Sequence, residues 1–201
     1  MELLIVRHGQ SEADLLGVHE GRADFPLTKL GEQQAIVMST YVAEHFPPDL
    51  ILASPLLRAK STAETLQKFV GCDLLLEKDL MEFNNGVLAG LSREEARVKY
   101  PLPPSGRPIH IPIELGESAL EFRFRAEKIF HQILLDYQSY NRVAIVSHGG
   151  LISHFINAFL KQPNTSEYEF ATGDTGIHLL DIKENKRIIK FLNRQEHLKR
   201  C

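Results

Sequence analysis

The chain has 201 residues, of which 43% are hydrophobic and 24% are charged, and this composition is ordinary for a globular protein with a sizeable core. The net charge is −3, so no overall positive field attracts nucleic acid or an anionic membrane. No apolar run approaches the roughly 20 residues that a membrane span needs. A bound anion would therefore have to be held by a local cluster of Arg and His side chains.

The cysteines and the N-terminus predict a cytoplasmic protein. Cys72 and Cys201 are the two cysteines of the chain, and neither has an obvious partner, which favours a reducing compartment over a disulfide scaffold. The first residues run directly into an apolar segment, without the basic stretch and cleavage signal of a secretory leader. The oligomeric state stays open, with a homodimer as one option.

The first half of the chain alternates short apolar runs with helical patterns. "ELLIV" and "LILAS" are continuous apolar runs that suit strands buried on both faces. Helical spacing follows each of them, in "LTKLGEQQAIVMSTYVAEHF" and "PLLRAKSTAETLQKFV". Thr28 is placed to cap the first of these helices, and Pro47 and Pro48 end it.

The second half continues the alternation after a break. "LLLEKDLMEFNNGVLAGLS" predicts a strand and a loop, and "REEARVKY" predicts a short helix. Residues 101–114 are rich in proline and predict a stiff surface excursion or lid. "ESALEFRFRAEKIFHQILLDY" predicts the longest helix, "RVAIVS" and "GLISHFINAFL" predict a strand and a helix, and "GIHLLDIKENKRIIKFL" predicts two strands around a "KENK" turn.

Strands that alternate with helices indicate the fold class. We expect an α/β protein, a three-layer sandwich with a mostly parallel central sheet and helices on both faces. We expect one domain over residues 1–201, from which the Pro-rich excursion at about 101–114 projects.

Basic side chains follow three of the predicted strands. Arg7 and His8 end the first, Ser54 ends the second with Arg58 one turn into the next helix, and His148 ends the strand "RVAIVS". Because ligands of open α/β sheets bind outside the carboxyl ends of the strands, these groups should meet at one edge. Arg donates in bidentate fashion to phosphate, and a neutral imidazole is a nucleophile, so the pattern predicts a phosphate pocket.

Four blocks of sequence carry a resemblance to a known family. "RHGQSEAD", "GRADFPLTKLGEQQA", "SPLLRAKSTAETL" and "VSHGG" occur in this order. Together they resemble the histidine phosphatase superfamily, in its phosphoglycerate-mutase-like branch, from residue 3 to about residue 160. The resemblance implies that His8 is the phosphorylated nucleophile, that Arg7, Arg58 and His148 complete the phosphate pocket, and that Glu82 is the proton donor.

The resemblance also implies contacts around that pocket and shows two departures. The further candidates for phosphate or substrate binding are Gln10, Ser11, Asp14, Gly21 and Gly149. The family often has Asn where Asp14 stands. After its acidic residue the family often continues with Gly-x-Trp-Glu-Gly, whereas the run here is "GVLAG" and the chain has no Trp, so the loop facing the substrate is unusual.

The function expected from this set is a phosphatase that hydrolyses a small phosphomonoester through a phosphohistidine. No metal and no other cofactor is expected, because Arg and His supply the positive charge. The expected partner is a small phosphorylated metabolite, with no nucleic acid and no membrane. Two alternatives stay open, a phosphoglycerate mutase and a catalytically idle protein that binds a phosphorylated ligand. His19 and His110 lie in loops that could overhang the pocket, and the remaining histidines are expected to be structural.

Overall fold

The computed structural model describes residues 1–163, 168–184 and 186–200. Six strands form one sheet. They are β1 (Glu2–Arg7), β2 (Leu50–Ala53), β3 (Asp73–Leu76), β4 (Arg142–Ser147), β5 (Ile177–Lys183) and β6 (Lys186–Arg194). The α-helices are α1 (Glu12–Leu16), α2 (Lys29–His45), α3 (Leu57–Val70), α4 (Arg93–Lys99), α5 (Ala119–Asp136) and α6 (Gly149–Phe159). Short 3₁₀ helices cover Lys78–Leu80, Gly86–Leu88 and Glu196–Arg200.

The sheet is mixed, with the order β3-β2-β4-β1-β5-β6. The first four strands in this order are mutually parallel, and Arg7 at the end of β1 pairs with Ser147 at the end of β4. β5 runs antiparallel to β1, and β6 runs antiparallel to β5 at the edge. The carboxyl ends of the four parallel strands therefore share one edge of the sheet, as the sequence predicts.

Helices cover both faces of the sheet, and alternate residues of each central strand face opposite sides. Leu3 and Ile5 of β1 pack with α5 and α6, whereas Leu4 and Val6 pack with α2 and α3. All four side chains have no solvent exposure, and each contributes about 1.5–3 kcal/mol through burial. The predicted α/β sandwich with helices on both faces is confirmed.

Local signals in the sequence account for several element boundaries. The Thr28 side chain accepts a hydrogen bond from the backbone N–H of Gly31 at the start of α2, as expected from its position. Ser118 caps α5 and forms a capping box with Glu121. α1 was not predicted, since five residues are too few for a periodic apolar pattern.

Two predicted segments connect these elements. Residues 101–118 contain turns and bends but neither helix nor strand. The "KENK" turn joins β5 to β6, but its Asn185 lies outside the described residues. In the described ranges, no helix is long and apolar enough to cross a membrane.

Candidate active site

Three adjacent strands bring their terminal residues to one point at the carboxyl edge of the sheet. The backbone N–H of His8 donates to the carbonyl oxygen of Ser147 at 3.0 Å, and that of Ser54 donates to the carbonyl oxygen of Val146 at 3.0 Å. The rings of His8 and His148 lie with their centroids 5.1 Å apart. The residues after β1, β2 and β4 thus form a single site, although they are far apart in the chain.

The hydrogen bonds of His8 define which ring nitrogen carries the proton. Nδ1 lies 2.7 Å from the carbonyl oxygen of Gly9, which can only accept, so Nδ1 is the protonated nitrogen. Nε2 accepts from Nε of Arg58 at 3.3 Å and therefore keeps its electron pair. Burial, followed by the charges of Arg58 and Arg7, lowers the pKa of His8 well below its usual value of 6.5, although the bond to Gly9 opposes this shift. The ring is therefore a neutral imidazole near neutral pH, and its Nε2 is unprotonated.

Arg58 has no solvent exposure, although it lies in the first turn of α3. Its Nη1 and Nη2 donate to the carbonyl oxygens of Ala23 at 3.1 Å and Gly21 at 2.7 Å. Gly21 has a φ of +47°, and an added Cβ would lie 2.5 Å from the Asn85 side chain. The loop around Gly21 thereby orients the guanidinium toward His8.

His148 is the residue immediately before α6. Its Nε2 lies 2.8 Å from Oγ of Ser54, and its Nδ1 is buried without a hydrogen-bond partner in the described structure. Burial is the main cause that lowers the pKa of His148 well below 6.5, and the charge of Arg58 adds to it. A buried ring nitrogen without a partner is uncommon, and at this position it leaves one polar atom of His148 available to a ligand.

Arg7 lies between two carboxylates at the end of β1. Nη1 donates to the carbonyl oxygen of Thr172 at 2.6 Å. Nη2 lies 3.5 Å from Oδ1 of Asp174 and 3.8 Å from Oδ1 of Asp14. Asp174, which the sequence motifs do not indicate, reaches the site from the loop before β5.

Glu82 lies next to this cluster, at the N-terminus of α6. Its Oε2 accepts from the backbone N–H of Gly150 at 2.9 Å, and its Oε1 accepts from the N–H of Phe83 at 2.9 Å. An added Cβ on Gly150 would lie 2.6 Å from Oε1 of Glu82. The second glycine of "HGG" therefore lets the carboxyl group of Glu82 lie directly against the backbone of α6, and a larger residue there would displace it.

A guanidinium from α5 holds the backbone before and at Glu82. Nη1 of Arg125 donates to the carbonyl oxygens of Asp79 and Met81, each at 2.8 Å, and Nη2 donates to that of Glu82 at 3.2 Å. Nη2 also pairs with Oε1 of Glu117 at 2.7 Å. No local pattern in the sequence indicates these contacts, because they join residues that are distant in the chain.

The remaining residues that were expected to contact phosphate or substrate differ in their surroundings. The side-chain oxygen of Gln10 accepts from Thr28, so its carbonyl end is engaged at the start of α2. Ser11 is fully buried, and its Oγ lies 3.0 Å from Oδ2 of Asp14. Gly149 is the first residue of α6, and an added Cβ there would meet no protein atom within 4 Å.

Glu20 is the main site residue that the sequence analysis missed. Its Oε1 accepts from Oγ of Ser11 at 2.5 Å, and its Oε2 lies 3.2 Å from Nε of Arg58 and 3.9 Å from Nε2 of His8. Glu20 immediately precedes the block "GRADFPLTKLGEQQA", and this position is the signal that could have pointed to it.

A cleft of about 490 Å³ lies along α4 and the Pro-rich segment, and the residues of the His8 site do not line it. His19, the neighbour of Glu20 in the chain, lines it together with Leu88, Tyr100 and the arginines of α4 and of the Pro-rich segment, Arg93, Arg97 and Arg107. His110 is exposed and does not line the cleft. In the described part of the chain, no group of three or more His, Cys, Asp or Glu side chains is arranged to hold a metal ion.

Comparisons with known proteins agree with this fold and arrangement. The family model of the histidine phosphatase superfamily, branch 1, matches residues 3–195. A probable phosphoglycerate mutase, GpmB, from Escherichia fergusonii is 30% identical over 191 residues, which cover 92% of this chain and 87% of that protein. The chain belongs to the histidine phosphatase superfamily, as its sequence motifs predict.

Two solved structures are similar over nearly the whole chain. The α-ribazole phosphatase from Shigella flexneri has a TM-score of 0.87 and 27% identity, with 96% of each chain covered. A variant of the phosphoserine phosphatase from Entamoeba histolytica, in complex with phosphoserine, has a TM-score of 0.80 and 25% identity, with 98% of each chain covered.

Proposed function

We propose that this protein is a phosphatase that hydrolyses small phosphomonoesters through a phosphohistidine on His8. The observation that carries the proposal is the state of His8, a buried neutral imidazole whose Nε2 keeps its electron pair and contacts Arg58. The two phosphatases of similar structure support the reaction class.

In the proposed mechanism Nε2 of His8 attacks phosphorus in line with the leaving oxygen. Arg7, Arg58 and His148 surround the phosphoryl group and stabilise the charge on its oxygens in the transition state. The P–O bond to the alcohol breaks as the N–P bond forms. Water then attacks the phosphohistidine, so that inorganic phosphate leaves and neutral His8 returns.

Glu82 is the proposed proton donor. It gives its proton to the leaving alkoxide in the first step and takes a proton from the attacking water in the second. The hydrogen bond that its carboxyl group accepts from Gly150, two residues after His148, supports this role. Arg125 acts through Glu82 and is therefore a positioning residue.

The rest of the substrate is proposed to lie in the cleft that His19 borders. The arginines there would bind a second anionic group, and Leu88 and Tyr100 would pack against an apolar part. A panel of phosphomonoesters, with and without a second anionic group and with leaving groups of different size, would identify the substrate class.

The test of the mechanism is trapping of the intermediate. Brief exposure to labelled aryl phosphate should give an acid-labile, alkali-stable label on the wild type, and none on His8→Ala. His110→Ala, a variant of an exposed histidine, serves as the control and should be labelled like the wild type. Full turnover by His8→Ala would contradict the mechanism.

A phosphoglycerate mutase is the second candidate, and the similarity to the probable mutase of Escherichia fergusonii favours it. A mutase returns the phosphoryl group to the substrate instead of passing it to water. A coupled mutase assay with a bisphosphoglycerate primer, run beside release of inorganic phosphate, separates the two activities.

Turnover is proposed to need no metal ion, because Arg7 and Arg58 supply positive charge to the phosphoryl oxygens. EDTA is therefore expected to leave the rate unchanged within error. A loss of activity that one added metal restores would contradict this prediction. We also propose a cytoplasmic location, which the free thiol of Cys72 supports.

A further inference from the structure

In the proposed phosphate pocket, negatively charged side chains outnumber positively charged ones, although the ligand is itself an anion. Arg7 already has the carboxylates of Asp14 and Asp174 within 3.8 Å, and Arg58 has that of Glu20 at 3.2 Å. With the two histidines neutral and Glu82 protonated, as its proposed role as the acid requires, two guanidinium groups face three carboxylates, which leaves a formal charge of −1. A dianionic phosphoryl group would enter this pocket against a net repulsion.

Glu20 is the carboxylate that competes most directly with the ligand. Its Oε2 contacts Nε of Arg58 and lies 3.9 Å from Nε2 of His8, the atom that attacks phosphorus in the proposed mechanism. A phosphoryl group with phosphorus within reach of Nε2 of His8 and a non-bridging oxygen on Nε of Arg58 would compete for the same space. The carboxyl group is held there by the hydrogen bond from Ser11.

We propose that Glu20 takes up one proton from solvent when a dianionic phosphoryl group binds, so that its carboxyl group becomes a hydrogen-bond donor to the ligand. The proposal rests on the proposed function only in placing the phosphoryl group beside His8 and Arg58. No covalent bond changes in this step. Glu20 thereby sets the charge state in which the pocket accepts its substrate and releases inorganic phosphate.

The groups that face Glu20 act in opposite directions on this proton. Burial raises the pKa of Glu20, and the charge of Asp14 adds to the rise. Arg58 is the largest opposing influence, followed by the hydrogen bond from Ser11 and the charge of Arg7. A bound dianion attracts Arg58 and Arg7 to itself and repels the carboxylate, so both effects move the proton onto Glu20.

Sulfate is a suitable probe, because it is tetrahedral, is not hydrolysed and stays a dianion across the useful range of pH. Its dissociation constant would be measured by calorimetry from about pH 6 to about pH 8, without any turnover. Uptake of one proton weakens sulfate binding by about tenfold for each unit of rising pH above the pKa of free Glu20.

Glu20→Gln keeps a hydrogen-bond donor but removes the titrating group. Its sulfate affinity is expected to exceed that of the wild type by about tenfold or more near pH 8. The logarithm of its dissociation constant should also change less steeply with pH, by up to about one log unit per pH unit. Because Glu20 lies 3.9 Å from Nε2 of His8, proton uptake by these two groups is coupled, so the slopes are also compared on a His8→Asn background, where the loss of slope in Glu20→Gln should persist. Glu12→Gln, which changes an exposed carboxylate of α1, is the matched control and should behave like the wild type.

Equal pH slopes in the wild type and in Glu20→Gln would overturn the proposal, since Glu20 would then stay ionised or move away without a proton. If Glu20→Gln does not fold by circular dichroism, Glu20→Ala replaces it and should show the same loss of slope. Absence of sulfate binding to the wild type and the variant would also overturn it. Proton-linked sulfate binding by a protein that hydrolyses no phosphomonoester would contradict the proposed function but support this inference.

Discussion

The chemistry of single residues in this protein depends on contacts that only neighbouring backbone provides. His8 is a nucleophile in our proposal because the carbonyl oxygen of Gly9 holds its proton on Nδ1. Arg58 faces His8 because the carbonyl oxygens of Ala23 and Gly21 bind its other two nitrogens. The sequence indicates that these two side chains belong to the site, but the protonation state of His8 and the orientation of Arg58 follow from these hydrogen bonds.

Glu82→Gln tests the proposed acid at the scale of one residue. The amide can still accept from Gly150 but cannot give a proton, so poor leaving groups should suffer most. We expect turnover of an alkyl phosphate to fall by about 10²-fold or more. Nitrophenyl phosphate, whose leaving group departs with little protonation, should be affected much less.

The measurement for this variant is the ratio of the two turnover rates. Glu94→Gln, which changes an exposed carboxylate of α4, is the control and should keep the wild-type ratio. If the ratio does not fall in Glu82→Gln, Glu82 is not the acid, and Asp14 is the next candidate.

At the scale of elements, the start of α6 positions both His148 and Glu82. The two glycines that follow His148 are not equivalent, because only Gly150 lies against Glu82. This difference arises because the loop after β3 carries Glu82 to Gly150. The sequence "VSHGG" alone does not indicate that contact. The chain thus uses the first turn of α6 to bring together residues of β4 and of that loop.

Gly150→Ala is expected to displace the carboxyl group of Glu82, because the added Cβ would lie 2.6 Å from Oε1. The ratio of alkyl to aryl phosphate turnover should therefore fall severalfold. Gly149→Ala is the matched variant, since its Cβ meets no protein atom within 4 Å. An equal fall in both variants would show that the contact with Glu82 is not the cause.

The α5 helix supports the same loop through Arg125. Arg125→Met leaves three backbone carbonyl oxygens and the half-buried Glu117 without this partner, so we expect the free energy of unfolding to fall by about 3 kcal/mol. Urea denaturation measures this loss. Lys128→Met changes an exposed ion pair on the same helix and should cost less than about 1 kcal/mol. Similar losses in the two variants would contradict the role assigned to Arg125.

At the scale of the whole molecule, histidines with a lowered pKa link stability to pH, and of these His178 and His197 are buried and His154 is half-buried. Burial lowers the pKa of His154, His178 and His197 to about 4 in each case. Between about pH 6.5 and about pH 4 the unfolded chain binds protons at these positions and the folded chain does not. The stability that they contribute is therefore complete above about pH 6.5 and is lost as the pH falls toward 4.

The free energy of unfolding should accordingly decrease from pH 7 to pH 5, by up to about 1.4 kcal/mol per pH unit for each histidine. Urea denaturation at several pH values measures the slope. His178→Asn should reduce the slope, whereas His131→Gln, at an exposed position of α5, should not. A flat profile for the wild type would contradict the assignment of these histidines as neutral in the folded chain.

The sequence by itself determined the layered fold and the membership of the family. Apolar runs that alternate with helical patterns reflect burial, which is a property of each segment, and the motif residues at the strand ends are local in the chain. The predicted residues Arg7, His8, Arg58, His148 and Glu82 do lie around one point, although their roles stay predictions.

Tertiary structure alone decided what surrounds these residues. Three further charged residues reach the site from distant segments: Glu20 from the loop after α1, Asp174 from the loop before β5, and Arg125 from α5. Local sequence patterns do not show which distant segments come into contact. The charge of the pocket depends on these contacts, because the pKa of a buried group depends on every charge within a few ångströms, wherever it lies in the sequence. The local sequence thus specifies the reactive side chains, and the packing of distant segments specifies their protonation.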